Sequence, residues 1–373
     1  MIKVKHVFFI LLLLLTAASC REDDTIIYPN IHDISEVTHT NIAGMYVLNE
    51  GNMGSNKATL DYLDLDSGKY FRNIFPSRNP NLVKELGDVG NDVKVYGDQL
   101  WIVINQSNKV EVADAQTAVS RGHIDIPNCR YLSFNGKYAY VSSYVGKIGE
   151  ADVIGAVYKV DTATLKIEGK CLVGYQPEEM VVQDGKIYVA NSGGYRGMNK
   201  ALGYDRTVSV IDINSFKVVN TIDVAPNLFR IRNDKYGKLY VSSQGNRNDI
   251  DPNIYVIDNE KVVDALNIPS MTFDIHGDSL VCFSKVKGET NFKVVDIRTN
   301  KVINNNFITF PTDYPIETPY ALTIHPITGD IYVMDATNYV SSGKLYCFDR
   351  NGKYKWHTET GDIPGHTCFL KKN

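Results

Sequence analysis

The sequence predicts an all-β chain: a seven-bladed β-propeller of four-stranded blades, closed by its own C-terminal strand. Three observations carry this reading. A turn followed by an apolar-aromatic strand recurs seven times, centred on Tyr46, Trp101, Tyr140, Tyr188, Tyr240, Val281 and Tyr332. Each copy leads to a second strand that ends in an aspartate and a polar turn. A third strand precedes every copy but the first, and the end of the chain supplies the missing one.

The elements follow in chain order. Lys3 and Lys5, the apolar run Val7 to Leu15 and the small residues before Cys20 describe a secretory signal over residues 1–19, too short to span a bilayer. With Cys directly after Ala-Ala-Ser, this segment resembles a lipoprotein signal that leaves Cys20 acylated. Arg21-Glu22-Asp23-Asp24 resembles the surface-export signal of lipoproteins in gut Gram-negative anaerobes, although a merely solvated linker has the same composition. Residues 20–41 are polar and aperiodic, and are expected to form a lipidated flexible tether.

The propeller is expected over 42–373. Its repeat strands read AGMYVLNE from Ala43, DGKIYVAN from Asp184 and YGKLYVSS from Tyr236, among others. The strands that follow end in Asp64, Asp114, Asp161, Asp212, Asp258, Asp296 and Asp349. Aspartates that recur once per repeat cap turns; they do not converge on a metal. Segments such as CRYLSFNG and EEMVVQDG form the preceding strands, and Gly365 to Leu370 completes the first blade. Five further cysteines, Cys129, Cys171, Cys282, Cys347 and Cys368, sit in apolar strand contexts without C-x-x-C spacing and read as small buried hydrophobes.

Composition bounds the function. A formal charge of -4 argues against a nucleic-acid binder that works by phosphate neutralisation. No G-x-S-x-G, H-E-x-x-H, Walker A or EF-hand pattern occurs, so neither a catalytic set nor a metal or cofactor site is expected. Glu178-Glu179 and His366 start innermost strands, but no partner at known distance gives them a catalytic role.

Length and irregularity collect on one face. Its loops include 49–59, 142–155, 191–206, 242–253 and 335–343, with the inter-blade segments 76–92, 174–179 and 310–320; the opposite hairpins are short and stereotyped. The ligand-binding set expected there is Tyr144, Tyr195, Arg196, Tyr204, Phe229, Arg247, Tyr314, Tyr320 and Tyr339. Arg130 and Arg230 belong to the same inventory. Tyr and Arg together are enriched at binding hot spots. Any single loop tyrosine can equally pack beneath its own loop; the one-sided bias is what argues for binding.

YVAN at Tyr188, YVLN at Tyr46, YVSS at Tyr140 and Tyr240, and VSVIDINSFKVVNTIDV from Val208 resemble the repeat of YncE-like (YVTN-repeat) propellers. The opening YVLNEGNMGS, from Tyr46 to Ser55, with Cys20 and the acidic tether, is similar to cobalamin-binding surface lipoproteins of the BtuG family. That resemblance implies an outer-membrane, cell-surface protein, anchored by lipid only. It would bind cobalamin or another corrinoid as ligand and deliver it to a TonB-dependent outer-membrane transporter. The alternative is a non-catalytic surface scaffold for a protein or glycan. A propeller lyase or dehydrogenase would need converging His, Arg and acid side chains.

Overall fold

The computed structural model describes residues 30–34, 37–82, 85–286, 289–308 and 313–372. The signal segment, Cys20 and the acidic cluster lie outside these residues, as does Phe310.

Seven antiparallel sheets form the ring, each with one innermost strand and successive neighbours outward. The innermost strands are Gly90–Tyr96, Cys129–Asn135, Pro177–Gln183, Leu228–Asn233, Thr272–His276, Pro319–Ile324 and Pro364–Lys371. They meet one another around the axis, each contacting the next. The second strands are Ile42–Asn49, Gln99–Ile104, Tyr138–Ser143, Lys186–Asn191, Leu239–Ser243, Ser279–Val286 and Ile331–Asp335. They carry the repeat aromatics. In the order of these second strands, the blades are numbered one to seven below.

The expected closure holds. Pro364–Lys371 pairs antiparallel with Ile42–Asn49 in the register Tyr46 to Cys368 and Leu48 to His366. The last strand of the chain is thereby the innermost strand of blade one, and no edge is left open at the axis. One part of the expected tether is ordered differently. Asn30–Asp33 adds a fifth, outermost strand to blade one, pairing with Lys69–Arg72. His32 Nδ1 lies 3.0 Å from Thr358 Oγ1 on blade seven, which ties this strand to the neighbouring blade.

The core sits between blades. Among the described residues there are seven apolar clusters, and each joins two adjacent sheets: Tyr46 and Leu48 of blade one pack on Val93, Leu100 and Ile102 of blade two, for example. Tyr46, Tyr140, Tyr188, Tyr240 and Tyr332 are all buried, as strand residues that face a neighbouring blade must be. The hydroxyl of Tyr46 donates to the Ala115 carbonyl of the next blade at 2.8 Å, and that of Tyr240 to Ile297 at 3.2 Å.

Six of the seven repeat aspartates cap their turns by accepting backbone N–H groups: Asp64, Asp114, Asp161, Asp212, Asp296 and Asp349. Asp258 instead accepts the Asn259 side chain at 3.0 Å. The five described cysteines are buried, and burial pushes the Cys129 and Cys282 thiols up to about 12. No helix among the described residues is long and apolar enough to cross a membrane.

Candidate functional site on the propeller axis

The long loops expected on one face surround a cavity of about 520 Å³ on the axis, and every blade contributes to its wall. Glu50, Met53 and His366 come from blade one, Asn91 and Asn105 from blade two, and Arg130 and Tyr131 from blade three. Blade four supplies Tyr195. Blade five supplies Phe229, Arg230 and Gln244; blade six Met271 and Phe283; blade seven Tyr320 and Tyr339.

A repeated backbone device aims these side chains. Near its loop end, the pairing of the innermost strand slips, so that extra residues bulge opposite the second strand. Arg130 and Tyr131 bulge opposite Ser142, Phe229 and Arg230 opposite Ser242, and Tyr320 opposite the step from Met334 to Asp335. Asn91 and the pair Glu178-Glu179 occupy the same place in their blades. Such bulges re-aim side chains next to binding sites. The repeat serine of YVSS holds the bulge. Ser142 Oγ accepts the Tyr131 N–H at 3.0 Å and donates to the Glu178 carbonyl of the next blade at 2.8 Å. Ser242 does the same for the Arg230 N–H and the Met271 carbonyl, at 3.0 and 2.8 Å. Val89, Asn128, Gln176, Asn227 and Ile363, each just before an innermost strand, have left-handed backbone with φ between 44° and 62°. For the β-branched Val89 and Ile363 that conformation is strained, and strain of this kind gathers at functional sites.

The floor is charged and closed. Beneath the cavity lies a space of only about 40 Å³, bounded by Asp92, Lys94, Glu179, Arg230, Arg232 and His366. Its carboxylates act as staples between blades. Asp92 accepts the Leu132 N–H at 2.9 Å, Glu179 the Ile231 N–H at 3.0 Å, and Asp274 the Ile324 N–H at 2.9 Å. Burial pushes the Glu179 carboxyl up, but the guanidiniums of Arg232 and Arg230 outweigh it and hold the group at about 2. Glu178 accepts Arg130 through Nε at 3.2 Å and Nη2 at 2.9 Å, and the Tyr144 hydroxyl also donates to it. The adjacent acids Glu178 and Glu179 are thus ion-pair partners of arginines and not an acid–base couple.

Two walls differ in character. On the side of blades seven and one, Glu50 accepts the Tyr320 hydroxyl at 2.9 Å and lies 3.2 Å from His366 Nε2. Burial lowers the His366 pKa despite the Glu50 carboxylate, which leaves the ring neutral at pH 7. The Tyr131 ring meets His366 edge-on at 6.0 Å between centroids, and has Arg130 Cζ at 5.7 Å and Arg230 Cζ at 5.4 Å from its own centroid.

Of the nine residues expected in the site, Tyr195, Phe229, Tyr320 and Tyr339 line the cavity. Tyr144 lies one layer behind, buried, edge-to-face with Tyr195 at 5.4 Å between ring centroids and with the Arg130 guanidinium over its face at 4.8 Å. Arg196 and Tyr204 build their own loop. Arg196 donates to the Leu202 and Gly203 carbonyls and stacks on Tyr175 at 4.5 Å, while the Tyr204 ring fills the space a Cβ would need at Gly197. Arg247 sits on an exposed loop tip with φ 56°, away from the cavity wall. Tyr314 packs outward on His357, 4.5 Å between ring centroids.

Glu50, Tyr131, Asn91, Asn105, Met271 and Phe283 were not anticipated. The available signal was the first two or three residues of each innermost strand, where NDV, CRY, EEM, LFR and PYA break the apolar alternation. Among the described residues, no group of three or more His, Cys, Asp or Glu side chains could hold a metal ion.

Solved structures share the fold at low identity. One is a quinoprotein alcohol dehydrogenase-like protein from Bacteroides thetaiotaomicron: TM-score 0.62, 13% identity, 89% of this chain and 79% of that one. AztD from Citrobacter koseri, in its apo form, matches with TM-score 0.55 and 11% identity over 88% of this chain and 99% of that one. Kuenenia stuttgartiensis hydrazine synthase matches with TM-score 0.55 and 16% identity over 70% and 76%. At these identities the likeness speaks for the propeller alone. Among curated proteins none matches. One family, described as a domain of unknown function (DUF5074), matches residues 43–362, and the chain belongs to that family.

Proposed function

We propose that this protein is a lipid-anchored binding protein of the outer-membrane surface. In this reading it captures cobalamin or another corrinoid on the long-loop face, over the axial cavity, and passes it to a TonB-dependent outer-membrane transporter. The observation that carries the reading is a cavity of about 520 Å³ with a mixed aromatic, amide and guanidinium lining, walled by all seven blades. Its size lies within the range of drug-sized ligand sites, so a corrinoid, which is larger, would rest over its mouth on the loop face. A corrinoid presents a broad apolar ring fringed by amides. Tyr195, Phe229, Tyr320 and Tyr339 offer flat apolar area to such a ring, and Asn91, Asn105 and Gln244 offer amide partners.

The sequence resemblance supports the same reading from another direction. Glu50 and Met53, which line the cavity, belong to the YVLNEGNMGS opening that is similar to the BtuG family. Cys20 supplies the acylation site and the following acidic residues the export signal in this proposal. A second reading, a non-catalytic scaffold for a protein or glycan, is favoured by one observation: the loop rim exposes Met198 at 69% and Val340 at 72%. The same rim could receive a transporter. Equilibrium dialysis against cyanocobalamin separates the two. Retention by micromolar protein supports capture; no retention, with no change in tyrosine fluorescence, leaves the scaffold.

A further inference from the structure

We propose that the floor of the axial cavity is an oxyanion site, in which Arg230 holds a carboxylate or phosphate group of the ligand. This rests on the cavity being the ligand site, and not on the ligand being a corrinoid.

Arg230 is placed as a waiting donor. Its guanidinium carbon lies over the Phe229 ring at 4.7 Å and the Tyr131 ring at 5.4 Å, and the residue lines the cavity. The side chain is only 9% exposed, and its single described ion pair, with Glu179, is long at 3.8 Å. Glu179 already has a closer partner in Arg232. Among the described residues no acceptor forms a hydrogen bond with the Arg230 guanidinium. These N–H donors open onto the cavity without a protein acceptor, and a bidentate oxyanion would satisfy them in the geometry a guanidinium prefers.

The neighbours sharpen the contrast. Arg130 occupies the equivalent bulge, but Glu178 engages it through Nε and Nη2 and balances its charge, so the anion falls to Arg230. Glu50, the acid in the cavity wall, is occupied on both oxygens by Tyr320 and His366. The cavity therefore offers, among the described residues, one guanidinium without a hydrogen-bonded acceptor, on blade five, while its carboxylate on blade one is already engaged. A ligand with an acidic group and an apolar or planar body would enter in one orientation, its acid toward Arg230.

The test uses small probes with the whole protein: benzoate, phenyl phosphate and the neutral benzamide, followed by ligand-observed NMR titration. At least one anion is expected to bind about tenfold or more tightly than benzamide. The anion that gains more tells carboxylate from phosphate. Arg230→Gln should abolish the preference, Arg230→Lys should keep part of it, and Arg247→Gln on the loop tip should leave it intact. Melting temperatures check the fold, and Arg230→Lys answers the question if the glutamine variant does not fold. Equal binding of anions and benzamide, or a preference that survives in Arg230→Gln, overturns the oxyanion site. Corrinoid retention without any anion preference would sink this inference alone. An anion preference without corrinoid retention would sink the corrinoid reading alone.

Discussion

At the scale of the residue, the tyrosines separate by what their hydroxyls meet. Tyr46 donates to the Ala115 carbonyl at 2.8 Å, whereas the buried Tyr140 hydroxyl has no hydrogen-bond partner among the described residues. Tyr46→Phe should cost about 1 kcal/mol in chemical denaturation, because it orphans an acceptor, and Tyr140→Phe should cost nothing or stabilise. Equal effects would mean that the hydroxyls play no part in joining blades. Glu179 gives a second residue-scale prediction. Its folded pKa of about 2 lies below the ordinary 4.5, so its contribution is complete at neutral pH and is lost as pH falls from 4.5 toward 2. Glu179→Gln should be less stable by roughly 3 kcal/mol at pH 7, and the gap to wild type should close near pH 2. A gap independent of pH would show that the charge does not matter.

At the scale of the element, the same four-stranded unit serves architecture and site through one irregularity. The second-strand serine accepts an N–H within the bulge and donates to the next blade, so it sets both the aim of the bulged side chain and the spacing between blades. Ser242→Ala should lose about 1–2 kcal/mol of stability and also weaken ligand binding, since it releases the Arg230 backbone. Ser142→Ala should do the same for Tyr131. Stability lost without any loss of binding would mean that the bulge holds its aim by other contacts.

The bulges also explain what could be read from the sequence. Seven strands in register, five of them centred on a tyrosine and each followed by a strand that ends in an aspartate and a turn, repeat a pattern that local chemistry enforces, so blades and closure were legible. Long loops on one face were legible for the same reason, as departures from the repeat. Which loop residues reach the axis was not. Arg196 and Tyr204 look as suitable as Tyr195, but a short helix at Gly194–Met198 turns them into their own loop. Arg230 and Tyr131 lie inside strands, where alternation conceals a one-residue slip in register. The Asn30–Asp33 strand was missed because a short polar edge strand carries no apolar period to betray it.

At the scale of the whole molecule, the ring is held by contacts between sheets that are distant in sequence only at one seam. Blades one and seven meet through Met45, Val47, Tyr332 and Met334, while Pro364–Lys371 hydrogen-bonds the last part of the chain to the first blade. Ending the chain before Pro364 should expose the edge of Ile42–Asn49, bare Leu48 and Tyr46 to water, and remove His366 from the cavity. Loss of the cooperative melting transition is expected. A truncated protein that melts like wild type would contradict closure by this strand.

The central claim is that the long-loop face, over the axial cavity, binds a corrinoid. Calorimetric titration of cyanocobalamin into the wild type and into Tyr195→Ala and Tyr339→Ala tests it most directly. The account predicts saturable binding by the wild type and about tenfold or weaker binding by each variant, at unchanged melting temperature. Absence of heat with the wild type, or full affinity in both variants, would contradict it.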